Sequence, residues 1–237
     1  MLGDSDPFEK CATMGAVLRE FSSIAQRMGV RRCAIVAPPP FHATVGPATL
    51  VFSWGFDEAW VNQYLTNRSI DDERTADKIL ELGRPALWRD IQARSKLSDK
   101  HYDLAETFFR VHGNDGVALP LFGPFGHQVF LSLSFNTPVD DILDPRISLI
   151  SRIGSMCHRR YIEIFRQENL PKNPLSMREK QVLAQIAGGQ SKKQAARNLG
   201  LSTSSIDTYQ RRIFFKLAVD DRTEAAVKGL SLGLIKL

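Results

Sequence analysis

The chain has 237 residues, 43% of them hydrophobic and 24% charged, which is the composition of an ordinary folded protein. No apolar run approaches the roughly 20 residues that a membrane-spanning helix needs, and the polar, acidic start MLGDSDPFEK is unlike a secretory signal. Three widely separated cysteines, Cys11, Cys33 and Cys157, favour a reducing cytoplasm over a disulfide framework.

Positive charge is concentrated in the last part of the chain. Residues 172–237 contain 12 Lys and Arg against 5 Asp and Glu, a net charge of +7, whereas residues 1–171 carry a net charge of −2. This asymmetry indicates a basic module that meets a polyanion, joined to a domain with another task.

Residues 1–168 predict an α+β fold, an α-β-α sandwich with an antiparallel sheet like those of PAS and GAF sensors. Two apolar segments joined by Gly123-Pro-Phe-Gly126 have the spacing of an antiparallel hairpin. Asp144 and Pro145 are suited to begin a last long helix. The predicted order is a helix at 8–29, strands at 32–36 and 49–54, helices at 57–65, 72–82 and 98–111, hairpin strands at 116–122 and 128–135, and a helix to 167.

A linker is predicted at 169–175, where two prolines interrupt the chain and no periodicity is found. The remaining segment, 176–237, predicts an all-α domain of four helices. Ser176-Met-Arg-Glu179 and Ser191-Lys-Lys-Gln194 have the spacing of capping boxes, and Asp221-Arg-Thr-Glu224 is a close variant. Gly188-Gly189 and Gly200 are suited to end helices in left-handed conformations.

The second and third of these helices predict a helix-turn-helix. A short helix at 191–199 ends at Gly200, and an amphipathic basic helix starts after Leu201-Ser-Thr203. Ile206, Tyr209, Ile213 and Leu217 recur on its buried side, so the opposite side would enter the DNA major groove. The alternative is a four-helix interaction bundle with a solvated charged face.

Residues 175–235 resemble the LuxR-type helix-turn-helix along their full length, with Glu179, Leu183 and Gly189 at that family's signature spacing. The resemblance implies double-stranded DNA as a partner and a fourth helix, 222–232, that helps to dimerise. It places Asp207, Thr208 and Arg211 toward base edges, with Arg211 suited to a guanine, and Arg212 and Lys216 nearer the phosphates. The full set of DNA-binding residues it implies is Lys193, Ser204, Ser205, Asp207, Thr208, Arg211, Arg212 and Lys216.

Residues 15–165 resemble the autoinducer-binding domain of the same family, which recognises N-acyl homoserine lactones. The motifs are Phe56-Asp-Glu-Ala-Trp60-Val-Asn-Gln-Tyr64, Glu73-Arg-Thr75, Pro85-Ala-Leu-Trp88 and Gly113-Asn-Asp-Gly116-Val-Ala-Leu-Pro120. The resemblance implies a small-ligand site formed by Phe56, Trp60, Tyr64, Glu73, Thr75, Trp88, Gly116, Ala118 and Ser132. Without it, Trp60 and Tyr64 would be ordinary core aromatics and Glu73 a solvated helix start.

The implied roles match the chemistry of the ligand. Trp60 can donate its indole N–H to the lactone carbonyl, Glu73 can accept from the amide N–H, and Ser132 can donate to the amide carbonyl. Tyr64 and Trp88 can wall the lactone, and Gly116 lets the backbone lie close to the ring. An apolar pocket with a few convergent polar groups suits such a molecule.

Three features depart from the family pattern. Glu73-Arg74 stands where the family usually has Asp-Pro, and Phe56 stands where a tyrosine often holds the acyl carbonyl. Gln128, Val129 and Phe130 are larger than the residues common in the hairpin, which predicts a shorter or reshaped tail channel. A regulator that binds a different small molecule, or that acts without ligand, therefore remains an alternative.

Other chemistries find little support. The five histidines and three cysteines show no metal-ligand spacing, and neither a phosphate loop nor a Gly-x-Ser-x-Gly elbow is present. No cofactor, no metal and no catalytic residue is predicted, and a lactone-processing enzyme is the rival reading. The expected assembly is a homodimer on an inverted-repeat operator. Its predicted dimer face on the last long helix consists of Ile150, Ile153, Cys157, Tyr161 and Ile164.

Overall fold

The computed structural model describes residues 6–37, 49–66, 79–94, 110–113 and 115–236. The chain divides into two units, Met1–Ile164 and Phe165–Leu237. This division falls four residues before the predicted end of the first domain at 168, and the exact bounds of the linker at 169–175 stay a prediction.

A five-stranded antiparallel sheet forms the centre of the first unit. Its strands are β1 (Val30–Ala37), β2 (Thr49–Trp54), β3 (Ala86–Leu87), β4 (Val117–Phe122) and β5 (Gln128–Phe135), in the spatial order β2-β1-β5-β4-β3. The predicted hairpin is confirmed, because β4 and β5 pair from Val117 with Leu133 to Phe122 with Gln128. Its turn contains Phe125 at φ 61°, a left-handed conformation that non-glycine residues rarely adopt.

One face of the sheet packs against helices α1 (Met14–Arg27) and α4 (Pro145–Asn169). Phe21 of α1 and Ile150 of α4 are fully buried there, and Leu131 and Leu133 of β5 are no more than 1% exposed. The helix comes close to the sheet at Gly154, where an added Cβ would lie 2.8 Å from Leu131 Cδ1. This apolar burial supplies the main stabilisation of the unit.

The predicted dimer face on α4 is wrong for four of its five residues. Ile150, Ile153, Cys157 and Ile164 are at most 4% exposed and belong to the core of their own unit. The helical periodicity that predicted an apolar stripe was correct, but the stripe packs on the sheet because both strands and helix must bury an apolar face.

The other face of the sheet carries a smaller apolar cluster. Val36, Ala118 and Phe130 of three adjacent strands contact Trp88 and Ile79. Two helices lie beside this face, α2 (Glu58–Thr66) and α3 (Trp88–Arg94). Trp88 and Ile91 of α3 and Phe56, just before α2, belong to the cluster. Of the helices predicted at 72–82 and 98–111, the described parts, 79–82 and 110–112, are helical, and the rest lie outside the described residues.

The first helix is shorter than predicted. It begins at Met14 rather than residue 8 because Thr13, in an extended conformation, accepts a hydrogen bond from the Ala16 N–H at 3.2 Å. Residues 7–10 form a turn whose Phe8 side chain is fully buried in the core, so the helical conformation predicted from residue 8 is wrong for this segment.

The second unit consists of α5 (Met177–Ala187), α6 (Lys192–Leu199), α7 (Thr203–Leu217) and α8 (Arg222–Ser231). Both predicted capping boxes form, at Ser176 with Glu179 and at Ser191 with Gln194. Gly200 ends α6 at φ 64°, and Gly189 rather than Gly188 has the left-handed conformation after α5. Leu183, Ala195, Ile213 and Ala225, one from each helix, belong to the core that joins the four helices.

Candidate functional site

Four aromatic rings from different parts of the first unit meet over the second face of the sheet. Phe56 lies 6.0 Å from Trp60 and 6.4 Å from Trp88 between ring centroids, and His112 stands edge-on to Phe56 at 5.1 Å and to Trp60 at 5.5 Å. The Asp57 side chain positions this group by accepting from the backbone N–H of Trp60 at 2.9 Å, at the start of α2. We call Phe56, Trp60, Trp88 and His112 the aromatic cluster.

Gly116 allows one wall of the cluster to form. A Cβ added to Gly116 would lie 2.2 Å from Trp88 Cδ2, so any side chain there would displace the indole. The backbone N–H of Trp88 also donates to the Gly116 carbonyl at 2.9 Å, and Trp88 is 3% exposed. In the structure Gly116 therefore lies close to Trp88, and the predicted close approach of its backbone to a ligand ring stays a prediction.

The sheet beneath the cluster has small side chains. Ser132 of β5 is paired with Ala34 of β1 on one side and with Ala118 of β4 on the other. Ser132 lies two residues from Phe130 and therefore projects from the same face of the sheet, toward the cluster and away from Leu131. A row of small residues with one hydroxyl gives space for a ligand and a polar group to orient it.

Three predicted ligand-binding residues cannot be placed by their side chains. The backbone of Tyr64 lies in α2, and nothing is described of its ring. Glu73 and Thr75 lie outside the described residues. The structure thus brings together Phe56, Trp60, Trp88, Gly116, Ala118 and Ser132. The ligand-binding roles of all nine residues stay predictions.

His112 is a member of the cluster that sequence reasoning missed. It was considered only as a metal ligand, although it directly precedes the Gly113-to-Gly116 motif, which was the available signal. Its side chain is 4% exposed, and burial, together with the charge of Arg32, lowers the pKa of the imidazole. This shift of the pKa favours the neutral form of the ring.

Arg32 ties the edge of the cluster to the sheet. Its Nη1 donates to the His112 carbonyl at 3.0 Å and its Nε donates to the Gly55 carbonyl at 3.2 Å. Gly55, at φ +75°, passes so close to β1 that an added Cβ would lie 2.3 Å from the Arg31 carbonyl oxygen. The turn that leads from β2 to Phe56 is therefore fixed by contacts on both sides.

The second candidate site is the exposed side of α7. Ile206, Ile213 and Leu217 are at most 2% exposed and face the core, as predicted. On the opposite side, Ser204, Arg211 and Arg212 are exposed and Ser205, Asp207 and Thr208 are partly exposed, while Lys193 is exposed on α6. We call the side that presents Ser204, Asp207, Thr208, Arg211 and Arg212 the basic helical face.

Phe215 extends this face in an unexpected way. It is 85% exposed and lies one helical turn beyond Arg211, on the side of α7 opposite the core. Sequence reasoning counted neither Phe214 nor Phe215 in the site. The exposure of so large an apolar ring is the signal that only the structure provides.

Lys216 does not belong to the basic helical face. Its Nζ lies 2.7 Å from Glu179 Oε2 and 3.2 Å from the Pro174 carbonyl, and the Lys216 and Glu179 side chains are 16% and 3% exposed. Burial raises the pKa of Glu179, but the hydrogen bonds from Lys216 and Ser176 outweigh it and hold that pKa below its ordinary value. Lys216 thus stabilises the interior of the unit, which does not support its predicted place near phosphates.

Asp207 has a partner that the sequence did not reveal. Its Oδ1 forms an ion pair with the Nζ of Lys192, the first residue of α6. The negative charge of this aspartate on a basic helix is therefore balanced by a lysine of the same domain.

No group of three His, Cys, Asp or Glu side chains in the described ranges could hold a metal ion. Among the same residues, no helix has the length and apolar character required to cross a bilayer.

Comparison with known proteins identifies the class. Residues 13–161 match the model of the autoinducer binding domain, and residues 173–228 match the model of bacterial regulatory proteins of the luxR family. The chain belongs to the LuxR-type regulators that join these two domains, as the sequence predicted. The antiparallel sheet and the helical second unit confirm the predicted fold class.

Individual relatives are distant. The chain is 25% identical over 154 residues to the putative HTH-type transcriptional regulator y4qH of Sinorhizobium fredii, a match that covers 65% of this chain and about half (47%) of that relative. It is 23% identical over 187 residues to the transcriptional activator AhyR of Aeromonas hydrophila, a match that covers 75% of this chain and 70% of that relative.

Solved structures of SdiA share the fold. The crystal structure of Escherichia coli SdiA has a TM-score of 0.65 and 20% identity, covering 97% of this chain and 95% of that one. A structure of SdiA in complex with octanoyl-rac-glycerol has a TM-score of 0.63 and 19% identity, covering 96% and 91%.

Proposed function

We propose that this protein is a cytoplasmic transcription regulator that senses an N-acyl homoserine lactone and binds an inverted-repeat operator as a homodimer. The observation that supports ligand sensing, the first half of this proposal, is the aromatic cluster above the small residues of the sheet. Phe56, Trp60 and Trp88 occupy the positions that the family motif assigns to the ligand, and they converge with Ser132 on one face.

The cluster suits a ligand with a compact polar head and an apolar tail. The indoles of Trp60 and Trp88 supply apolar walls, and the indole N–H of Trp60 is a donor suited to a carbonyl oxygen. Ser132 supplies a second donor from the floor of the sheet. His112 adds a ring edge, and its lowered pKa favours the uncharged form of that ring.

The basic helical face supports the DNA half of the proposal. Arg211 and Arg212 are exposed on the side of α7 that turns away from the core, beside hydroxyl groups of Ser204 and Thr208. Guanidinium groups recognise guanine edges and phosphates, and hydroxyl groups contact either. A module with net charge +7 is suited to the phosphate backbone of DNA.

Ligand binding is tested by thermal unfolding of the full chain with acyl homoserine lactones of increasing tail length. A ligand at about 100 times its dissociation constant adds roughly 2.7 kcal/mol of stability. Trp60→Phe removes the indole N–H while keeping an apolar ring, so the ligand-induced rise in Tm should shrink. Trp54→Phe is the matched control, because Trp54 packs against Phe21 on the other face of the sheet.

Two results contradict the ligand assignment. One is the absence of any rise in Tm with every lactone, and the other is an equal response of the wild type and Trp60→Phe. DNA binding is measured separately with duplex DNA, so a failure of the ligand half leaves the DNA half testable.

A different acyl ligand is the second candidate. Phe56 lacks the hydroxyl of the tyrosine usual in the family, and SdiA, which shares the fold, has been solved with an acylglycerol. A monoacylglycerol series belongs in the same thermal experiment. A rise in Tm with acylglycerols alone would assign the site to that class.

A further inference from the structure

The ion pair between Lys192 and Asp207 lies on the surface rather than in the core. Lys192 is the first residue of α6 and Asp207 is in the second turn of α7, and their side chains are 45% and 44% exposed. The pair therefore bridges the two helices of the helix-turn-helix at the side where α7 is open to a partner.

Asp207 belongs to the basic helical face by its helical position. It lies three residues after Ser204 and four before Arg211, so the three side chains project from one side of α7. The preceding residue, Ile206, is 2% exposed and points to the core. Asp207 also lies in the N-terminal half of α7, the part of a recognition helix that meets base edges.

An isolated carboxylate at this place would be repelled by DNA phosphates. Lys192 removes that cost, because the two charges cancel locally. The pairing also offsets an unfavourable feature of Lys192, whose positive charge lies at the positive N-terminal end of α6. The ion pair is made through Oδ1 of Asp207, and an ionised carboxylate has about four acceptor sites on its two oxygens, so it can accept a further hydrogen bond.

We propose that Lys192 and Asp207 form one recognition unit that selects a cytosine in each half-site of the operator. Lys192 holds the carboxylate at the edge of the basic helical face, and Asp207 accepts a hydrogen bond from the cytosine 4-amino group in the major groove. Lys192 is the positioning residue and Asp207 makes the base contact. This inference rests on the proposed binding of the chain to DNA.

Selection of bound duplexes from a random pool tests the unit on the full chain. The wild type should enrich cytosine at one position of each half-site, with about tenfold discrimination against other bases. Asp207→Asn should shift that position toward adenine, which asparagine reads through N6 and N7, and Asp207→Ala should lose the preference there. Preferences at all other positions should be unchanged.

Affinity for non-specific DNA tests the positioning role of Lys192. Lys192→Ala leaves the carboxylate uncompensated and should weaken this affinity by severalfold, and adding Asp207→Asn to it should restore the loss. Asp207→Asn alone should tighten non-specific binding and steepen the salt dependence by about one unit of slope. Asp220→Asn and Lys236→Ala are the controls, because they remove one negative and one positive charge at exposed positions outside the basic helical face. Neither should change the affinity for non-specific DNA or its salt dependence.

Identical selected sequences for the wild type, Asp207→Asn and Asp207→Ala would overturn the proposal and leave the pair as a link between two helices. Asp207→Asn has nearly the same shape as the wild type and its site is half exposed, so it decides the matter if Asp207→Ala unfolds. A wild type that binds no duplex at all contradicts the proposed function itself, which is a distinct outcome.

Discussion

The indole of Trp88 lies directly over Gly116, with no room for a single Cβ between them. This contact joins the start of α3 to the start of β4 and builds one wall of the aromatic cluster. It requires glycine for a steric reason, because Gly116 is not among the glycines with positive φ.

Gly116→Ala should therefore displace Trp88 and lower both stability and ligand response. Overpacking of a buried site costs about 1–3 kcal/mol, which lowers the Tm by several degrees. Gly15→Ala, on the surface of α1, is the control, and helix propensity predicts that it is neutral or stabilising. An unchanged Tm and ligand response for Gly116→Ala would show that the indole moves without cost.

Lys216→Met should destabilise the second unit strongly, because it leaves the carboxylate of Glu179 buried without its cation. Breaking one partner of a buried ion pair costs about 3–5 kcal/mol. Arg178→Met is the control, since Arg178 is exposed on the same helix as Glu179 and its Nη1 donates to Gln181 Oε1. Chemical denaturation measures both. If the two variants unfold at the same denaturant concentration, the ion pair between Lys216 and Glu179 contributes nothing to the stability of the second unit.

Arg211→Ala should relax the preference for guanine at one position of each half-site. Loss of a bidentate contact costs about 1–3 kcal/mol of discrimination. Arg212→Ala, the neighbour on the same face, should instead weaken binding evenly across sequences, as a phosphate contact does. Titration of matched and mismatched duplexes separates the two, and equal losses on both duplexes for Arg211→Ala would exclude a base contact.

Glu73 is predicted to accept from the ligand amide. Glu73→Gln keeps an acceptor oxygen but loses the charge, so ligand affinity should fall. Glu73→Asp restores the length usual in the family and should improve the response to ordinary acyl homoserine lactones. A reporter assay measures both responses, and two variants that behave like the wild type would place Glu73 outside the site.

The first unit should lose stability as the pH falls from about 6.5 toward 4. Burial, and secondarily the nearby His127, lowers the pKa of His158 to about 4 in the folded state. The unfolded chain binds the proton first, so stability is complete above the unfolded pKa and is lost by up to about 3 kcal/mol across this window.

His158→Phe should flatten that dependence and unfold at a higher temperature than the wild type at pH 5. The imidazole Nε2 is buried and has no hydrogen-bond partner among the described residues, so its removal costs little at pH 7. His127→Phe, at the more exposed neighbour, should keep most of the slope. Equal pH profiles for the wild type and His158→Phe would assign the acid sensitivity to other groups.

Local chemistry by itself determined much of this protein. The β4–β5 hairpin, the capping boxes at Ser176 and Ser191 and the left-handed Gly200 were all predicted, because alternation, caps and turns depend on neighbours within a few residues. The motifs around Trp60 and Trp88 likewise carried the resemblance that the comparison confirmed.

Only the tertiary structure decided which partner each side chain meets. Lys216 and Glu179 are 37 residues apart, and the sequence could not distinguish an internal cation from one that faces DNA. The sequence allowed the apolar stripe of α4 to pack on a sheet or on a second chain, and in the structure it packs on the sheet. His112 and Lys192 were missed for the same reason: the identity of a residue limits its chemistry, but long-range packing sets its burial and its neighbours.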